Sequence, residues 1–176
     1  MRSTRNDVNP FTSVVVVALG LAFSAHAQTN EVADPMAIVQ RAYQLQQSGD
    51  YAGAAEGYRA FLKLRPNEPG ALSNLGVVLV KLGRFDEAIV EYEAAEKLLP
   101  GDRRIELNLA LAYQKSGRLV AATKKLEALH SAEPAEAQVT LLLADCYLQA
   151  GNDDQVIGLL RPVEAANPDD LAVNLL

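Results

Sequence analysis

"KLGRFDEAIVEY" (residues 81–92) carries a glycine, a turn and the start of an amphipathic helix. A glycine one place past a helix end takes the left-handed cap conformation at little steric cost, and Asp86 is placed to cap the helix that follows. Ala88, Ile89 and Tyr92 fall at i, i+1 and i+4 and make one apolar stripe, with Glu87 and Glu91 outside it. The stretch reads as helix, glycine turn, helix. Its meaning depends on whether it is a lone hairpin or one unit of an array.

The rest of the chain decides for an array. Gly49, Gly83, Gly117 and Gly151 are spaced 34 residues apart, and so are Pro66, Pro100, Pro134 and Pro168. Ala54, Ala88 and Ala122 keep the same period, with Val156 in the fourth place, and Tyr58, Tyr92, Leu126 and Leu160 hold the next large apolar position. Eight punctuating residues in two registers at one period mark a repeat architecture.

The period, the glycine turn and the closing proline resemble the tetratricopeptide repeat (TPR). With each closing proline as the thirty-second residue, the units are 35–68, 69–102, 103–136 and 137–170. The second unit carries Leu72, Leu75, Gly76, Leu79, Gly83, Phe85, Ala88, Tyr92, Ala95 and Pro100 at the signature places. The small eighth residue recurs as Ala42, Gly76, Ala110 and Ala144, and the eleventh as Leu45, Leu79, Tyr113 and Tyr147. The resemblance implies an all-α, right-handed α-solenoid of helix–turn–helix units, four complete and a fifth begun at 171–176. Helices are expected near 35–48, 52–65, 69–82, 86–98, 103–116, 120–132, 137–150 and 154–167. No stretch alternates with period two well enough to be a strand.

Some positions depart from the family pattern. The fourth residue is Ile38, Leu72, Glu106 and Thr140, so the third and fourth units are expected to be looser at their first turn. Phe61 stands where a small residue is usual, which suits a first unit. Pro162 falls inside the last helix, where a missing N–H and a crowded carbonyl predict a bend. "LAVNLL" (171–176) reads as the first turns of a further helix, so the chain is expected to continue past Leu176.

The N-terminus reads as an export signal. Arg2 and Arg5 precede "FTSVVVVALGLAFS" (11–24) and then "AHA" (25–27), a small-x-small cleavage pattern. The run is shorter than the about 20 apolar residues that a membrane span needs. Cleavage after Ala27 leaves 28–34 as a short linker before the repeats. The product is expected to be periplasmic or secreted, with no stable membrane anchor.

Charge narrows the partners. The chain has 16 basic and 22 acidic residues, and removing 1–27 leaves 14 and 21. Affinity for a phosphate backbone comes from lysine and arginine, so nucleic acid is not an expected partner. A local basic cluster is visible in "DRR" (102–104), Lys115, Arg118, Lys124 and Lys125, most simply a solvated face. The lone Cys146 has no internal disulfide partner and reads as a buried apolar residue on a helix.

Catalytic chemistry is not expected. Outside the leader His130 is the only histidine, placed at the outer end of a helix and read as solvated. There is no Cys/His cluster for zinc, no EF-hand spacing and no glycine-rich phosphate loop, so no cofactor or metal is implied. "GNDD" (151–154) reads as a helix cap.

What remains is a surface. In the family that the repeats resemble, the first helix of each unit lines a concave groove through its fifth, ninth and twelfth residues. The matching residues are Val39, Tyr43 and Gln46; Ser73, Val77 and Val80; Leu107, Leu111 and Gln114; Leu141, Asp145 and Leu148. Their i, i+4, i+7 spacing makes one stripe per helix. Eight of the twelve are apolar, which favours a partner with apolar anchors. Asn74 and Asn108, at the sixth position, are suited to hydrogen-bonding an extended peptide backbone. The carboxylate clamp of some chaperone-binding TPR domains is mostly missing: Asn74 and Arg104 fit it, whereas Val39, Tyr43 and Asn108 do not. The expectation is a protein- or peptide-binding scaffold of the cell envelope. The alternative is the recognition arm of a larger enzyme or sensor whose catalytic part lies beyond residue 176.

Overall fold

A computed structural model describes residues 34–166, and the expected leader (1–27) and fifth-unit start (171–176) lie outside them. Eight helices follow one another: α1 (Pro35–Gln47), α2 (Tyr51–Leu64), α3 (Pro69–Lys81), α4 (Phe85–Leu98), α5 (Arg103–Lys115), α6 (Leu119–Ala132), α7 (Ala137–Gln149) and α8 (Asp153–Ala166). No strand occurs among the described residues. Odd-numbered helices are the first (A) and even-numbered helices the second (B) of each hairpin, and both sets begin at 34-residue intervals. Asp34, the last residue of the expected linker, instead caps α1 by accepting from the Met36 N–H at 2.9 Å. Pro162 falls inside α8, which continues past it to Ala166.

The hairpin turn is the same in every unit. Gly83 has φ of 73°, the Arg84 N–H donates to the Leu79 carbonyl at 2.9 Å, and the Gly83 N–H donates to that of Val80 at 3.0 Å. This is a Schellman motif: it satisfies two carbonyls at the end of one helix and reverses the chain into the next. Arg118 to Tyr113 (2.8 Å) and Asn152 to Tyr147 (2.9 Å) repeat it. The next helix begins one residue sooner than expected, because the chain turns helical directly after Arg84. Asp86 is therefore not the cap. It lies in the first turn of α4, where a carboxylate favours the helix dipole, and it accepts a bond from Arg118 of the next unit at 2.8 Å.

Each A helix lies close against its own B helix because one side of the contact is small. A Cβ added to Gly76 would sit 2.7 Å from the Tyr92 ring, and one added to Gly57 would sit 2.7 Å from the Ala42 Cβ. Both large residues of the matching B-helix position, Tyr58 and Tyr92, are buried as a result. One core cluster runs through the first three units, including Tyr58, Leu79, Tyr92 and Leu109, and a second runs from Ala110 to Val156. The expected looseness in the third and fourth units is not seen. Ile105 and Val139, one residue before Glu106 and Thr140, are buried and fill the first turn, and Thr140 is itself buried.

The A helices form the inner layer. α3 touches α5 and α5 touches α7, whereas no two successive B helices make comparable contact among the described residues. Elements closer together on one side than the other curve the stack toward that side, so the A helices line its concave wall.

Gly76→Val is expected to cost about 1–3 kcal/mol, the usual range for overpacking a close contact. The Cβ of Gly70→Ala meets nothing within 4 Å, so that change should leave stability unchanged or slightly raised. Urea unfolding followed by circular dichroism distinguishes the two.

Candidate functional site

Helical spacing puts the groove residues on one wall, but they differ in what is left for a ligand. Val39, Val77 and Val80 are half-buried and pack on the first core cluster, and Leu107 packs on the second. Leu111, Asn74 and Asn108 are half-buried. Tyr43, Leu141 and Leu148 are exposed, at 52%, 56% and 43%. Three large apolar side chains left that open on the A helices are candidates for contact with another molecule.

Two expected groove residues are corrected. Ser73 and Gln114 are buried, so neither presents a side chain to the concave surface. Gln114 reaches across the unit boundary and donates to an Asp145 carboxylate oxygen, and Gln149 donates to the same oxygen at 2.8 Å. Asp145 is exposed, but its carboxylate is already engaged by these two amides.

Tyrosines supply polar groups that the groove stripe did not include. The Tyr58 hydroxyl donates to Gln46 Oε1 at 2.7 Å. Burial pushes this phenol up from its ordinary range, Tyr43 pushes it further, and a hydrogen bond from Asn74 draws it back. Gln46 thus meets this hydroxyl directly, and Tyr43 and Asn74 lie near enough to shift it. Burial also pushes the Tyr92 phenol up, with Arg104 opposing.

A second group of polar contacts ties neighbouring units. Tyr113 donates to Glu93 at 2.6 Å and Tyr147 to Glu127 at 2.7 Å, the same pair one unit along. Burial, followed by the bond to the partner carboxylate, pushes each phenol up to about 12. Arg59 reaches Glu87 (3.0 Å), Arg118 reaches Asp86 (2.8 Å) and Lys125 reaches Glu96 (2.6 Å), each across a boundary. Arg103 pairs with Glu133 and Glu136. Half of the basic cluster read from the sequence is thus neutralised: Arg103, Arg118 and Lys125 have acidic partners, whereas Arg104, Lys115 and Lys124 make no ion pair among the described residues. The recurrence of tyrosine at the eleventh residue was the sequence signal for the Tyr–Glu ties.

Catalytic candidates stay quiet. His130 is half-buried rather than solvated, and its Nδ1 lies 3.2 Å from the Thr140 hydroxyl. Cys146 is buried, and burial with the neighbouring Asp145 raises its thiol, which disfavours the reactive thiolate. Among the described residues no three His, Cys, Asp or Glu side chains are grouped to hold a metal, and no helix is long and apolar enough to cross a membrane.

Comparison with known proteins agrees with this architecture. Two family models, each described as tetratricopeptide repeat, match residues 39–103 and 113–176. The chain is a tetratricopeptide repeat protein. No curated protein matches it. Among solved structures, YrrB, a TPR protein with an unusual peptide-binding site, superposes with a TM-score of 0.72 at 18% identity, over 81% of this chain and 74% of that one. MamA from Desulfovibrio magneticus RS-1 gives 0.71 at 25% identity, covering 78% of each chain. The first TPR of Spaghetti (RPAP3), solved bound to an HSP90 peptide, gives 0.62 at 18% identity, over 66% of this chain and 93% of that one. These likenesses establish the TPR fold.

The TPR ties carry a pH signature. Tyr113 and Tyr147 have folded-state values near 12, raised from an ordinary value of 10.0. A raised phenol contributes stability that is whole below about pH 10 and is lost as pH climbs through the folded value. Unfolding free energy should therefore decline above pH 10, and Tyr113→Phe/Tyr147→Phe should make that decline shallower. Urea titrations from pH 7 to 11.5 check the difference in slope.

Proposed function

We propose that this TPR protein is an exported, non-catalytic scaffold of the cell envelope that binds a protein or peptide partner along its concave A-helix wall. The observation that carries the reading is the set of apolar side chains left open on that wall. Tyr43, Leu141 and Leu148 are exposed, with Leu111 half-buried between them along the array. Water-exposed apolar groups on a concave wall favour an occupant that covers them. The solved TPR structures with a peptide-binding site or a bound peptide support this class of partner. Asn74 and Asn108, each half-buried on adjacent A helices, have amide donors and acceptors suited to a peptide backbone.

Export rests on the leader. A basic start, a short apolar run and "AHA" at 25–27 are the arrangement that a signal peptidase reads. Expression in a Gram-negative host should yield a soluble periplasmic product whose N-terminal sequence begins at or near Gln28. A mature protein that keeps Met1 in the membrane fraction would contradict the export reading.

The binding wall is tested with peptides selected from a random library on the immobilised protein. Removing one apolar anchor that is fully buried in a complex costs about 1.5–3 kcal/mol, so Leu111→Asp is expected to weaken selected peptides at least tenfold. Tyr43→Ala should weaken them too, while the melting temperature of both variants stays near that of the wild type. Lys124→Ala, on an exposed part of α6, should bind normally. Peptides that bind Leu111→Asp and Tyr43→Ala unchanged would place the interface elsewhere.

A further inference from the structure

Ion pairs strap the outer layer unevenly. Across the first boundary Arg59 reaches Glu87 at 3.0 Å, and across the second Arg118 and Lys125 reach Asp86 and Glu96 at 2.8 and 2.6 Å. No ion pair joins the outer helices of the third and fourth units among the described residues. The repeat period gives the residues that stand there instead. Asp86 and Arg118 correspond to Val120 and Asn152, Glu96 and Lys125 to His130 and Leu159, and Arg59 and Glu87 to Glu127 and Gln155. None of these three pairs keeps two opposite charges.

The outer surface is open at the same place. Two adjoining surface cavities of about 290 and 300 Å³ lie between α6 and α8. Val120 and Asn152 line the first, His130 and Leu159 the second, and Glu127 and Gln155 line both. All six residues that stand in for the straps therefore border the gap. The inner helix of the fourth unit stays fastened: α5 touches α7, Gln114 donates to Asp145, and the Tyr147 hydroxyl donates to Glu127 at 2.7 Å. A boundary held on its inner side and unstrapped on its outer side has the form of a hinge whose axis runs along the A helices.

We infer that the third boundary is the joint of this array: the gap between α6 and α8 widens while the first three units move as one body. Because the inner helices form the axis, widening the outer gap bends the array further toward its concave side. Leu141 and Leu148, both on α7, then swing relative to Tyr43 on α1 and Leu111 on α5. The joint thus sets the spacing of the apolar side chains on the concave wall, and it stands whether or not that wall binds a partner.

Cys146 is a built-in probe. It is the only cysteine of the chain, it is buried on α7, and Thr123 of α6 lies near enough to shift its thiol. Ala112 holds the same repeat position at the second boundary and is buried as fully. The full chain is labelled with iodoacetamide under native conditions, and each rate is divided by that of the same thiol in the urea-unfolded chain. Local opening at the joint should make Cys146 react about tenfold faster than the thiol of the Ala112→Cys/Cys146→Ala variant. Fitting a strap with Val120→Asp/Asn152→Arg should slow Cys146 about threefold, the scale of one exposed ion pair. Removing one with Asp86→Val/Arg118→Asn, in the Ala112→Cys/Cys146→Ala chain, should speed labelling at the second boundary by a similar factor. Equal rates at the two boundaries, or labelling of Cys146 only as often as the whole chain unfolds in urea titrations, would overturn the joint. A strap variant that folds normally by circular dichroism and labels at the wild-type rate would overturn it too. If that variant does not fold, the comparison of the two boundaries decides.

Discussion

The structure depends on how closely the two helices of a unit approach. A hairpin of two 13- or 14-residue helices exposes too much apolar surface to be stable alone, so it must bury one face within the unit and another against its neighbour. Both burials require the helix axes to be close, and a side chain at the crossing point prevents that unless one partner is nearly absent. Gly76 under the Tyr92 ring and Gly57 under Ala42 are two solutions to one constraint: the small residue sits on helix A in one unit and on helix B in another. Once the axes are close, large residues such as Tyr58 and Tyr92 are enclosed, and their polar ends have to be met. The hydroxyl of Tyr58 accordingly donates to Gln46 on its own unit's A helix.

Stacking the units raises the question of register, which apolar packing leaves loosely defined. The polar ties across the boundaries supply it. An exposed ion pair such as Arg118–Asp86 is worth only about 0–1 kcal/mol, but its geometry is satisfied in one relative placement of the two units. The Tyr–Glu bonds act similarly from less exposed positions. They recur at the second and third boundaries because tyrosine recurs at the eleventh residue, whereas at the first boundary that place is Leu79, which is fully buried. Five outer-layer acids, Asp86, Glu87, Glu93, Glu96 and Glu127, are occupied in these ties. On the inner layer Arg103 has acidic partners, whereas Arg41, Lys81, Arg104 and Lys115 make no ion pair among the described residues.

Much of this fold was legible in the sequence because its determinants are local. A glycine with positive φ, a proline after a helix and a 34-residue recurrence of small and large residues act within a few residues of where they are written, and the helix positions follow to within one or two residues. The misreadings came where two local signals competed or where the partner was far away. Asp86 resembles a cap, but the Schellman turn carries the chain into helix before it. Glu106 and Thr140 resemble gaps, but the residue ahead of each, Ile105 and Val139, rotates into the core. His130 resembles a solvated end residue, but the following unit brings Thr140 to it.

The sequence alone determined the repeat, the helix–turn–helix unit and the stripe of A-helix residues that face one direction, since helical periodicity sets which side chains share a face. Only the tertiary structure decided how much of each stripe stays open. Ser73 shares its repeat position with Leu141, and Gln114 with Leu148, yet the first of each pair is buried and the second exposed, and Asp145 is held by amides that begin 31 and 4 residues away. Periodicity states the direction in which a side chain leaves its helix. Whether it meets water or another side chain depends on the neighbouring helices, and those are set by packing across the whole array.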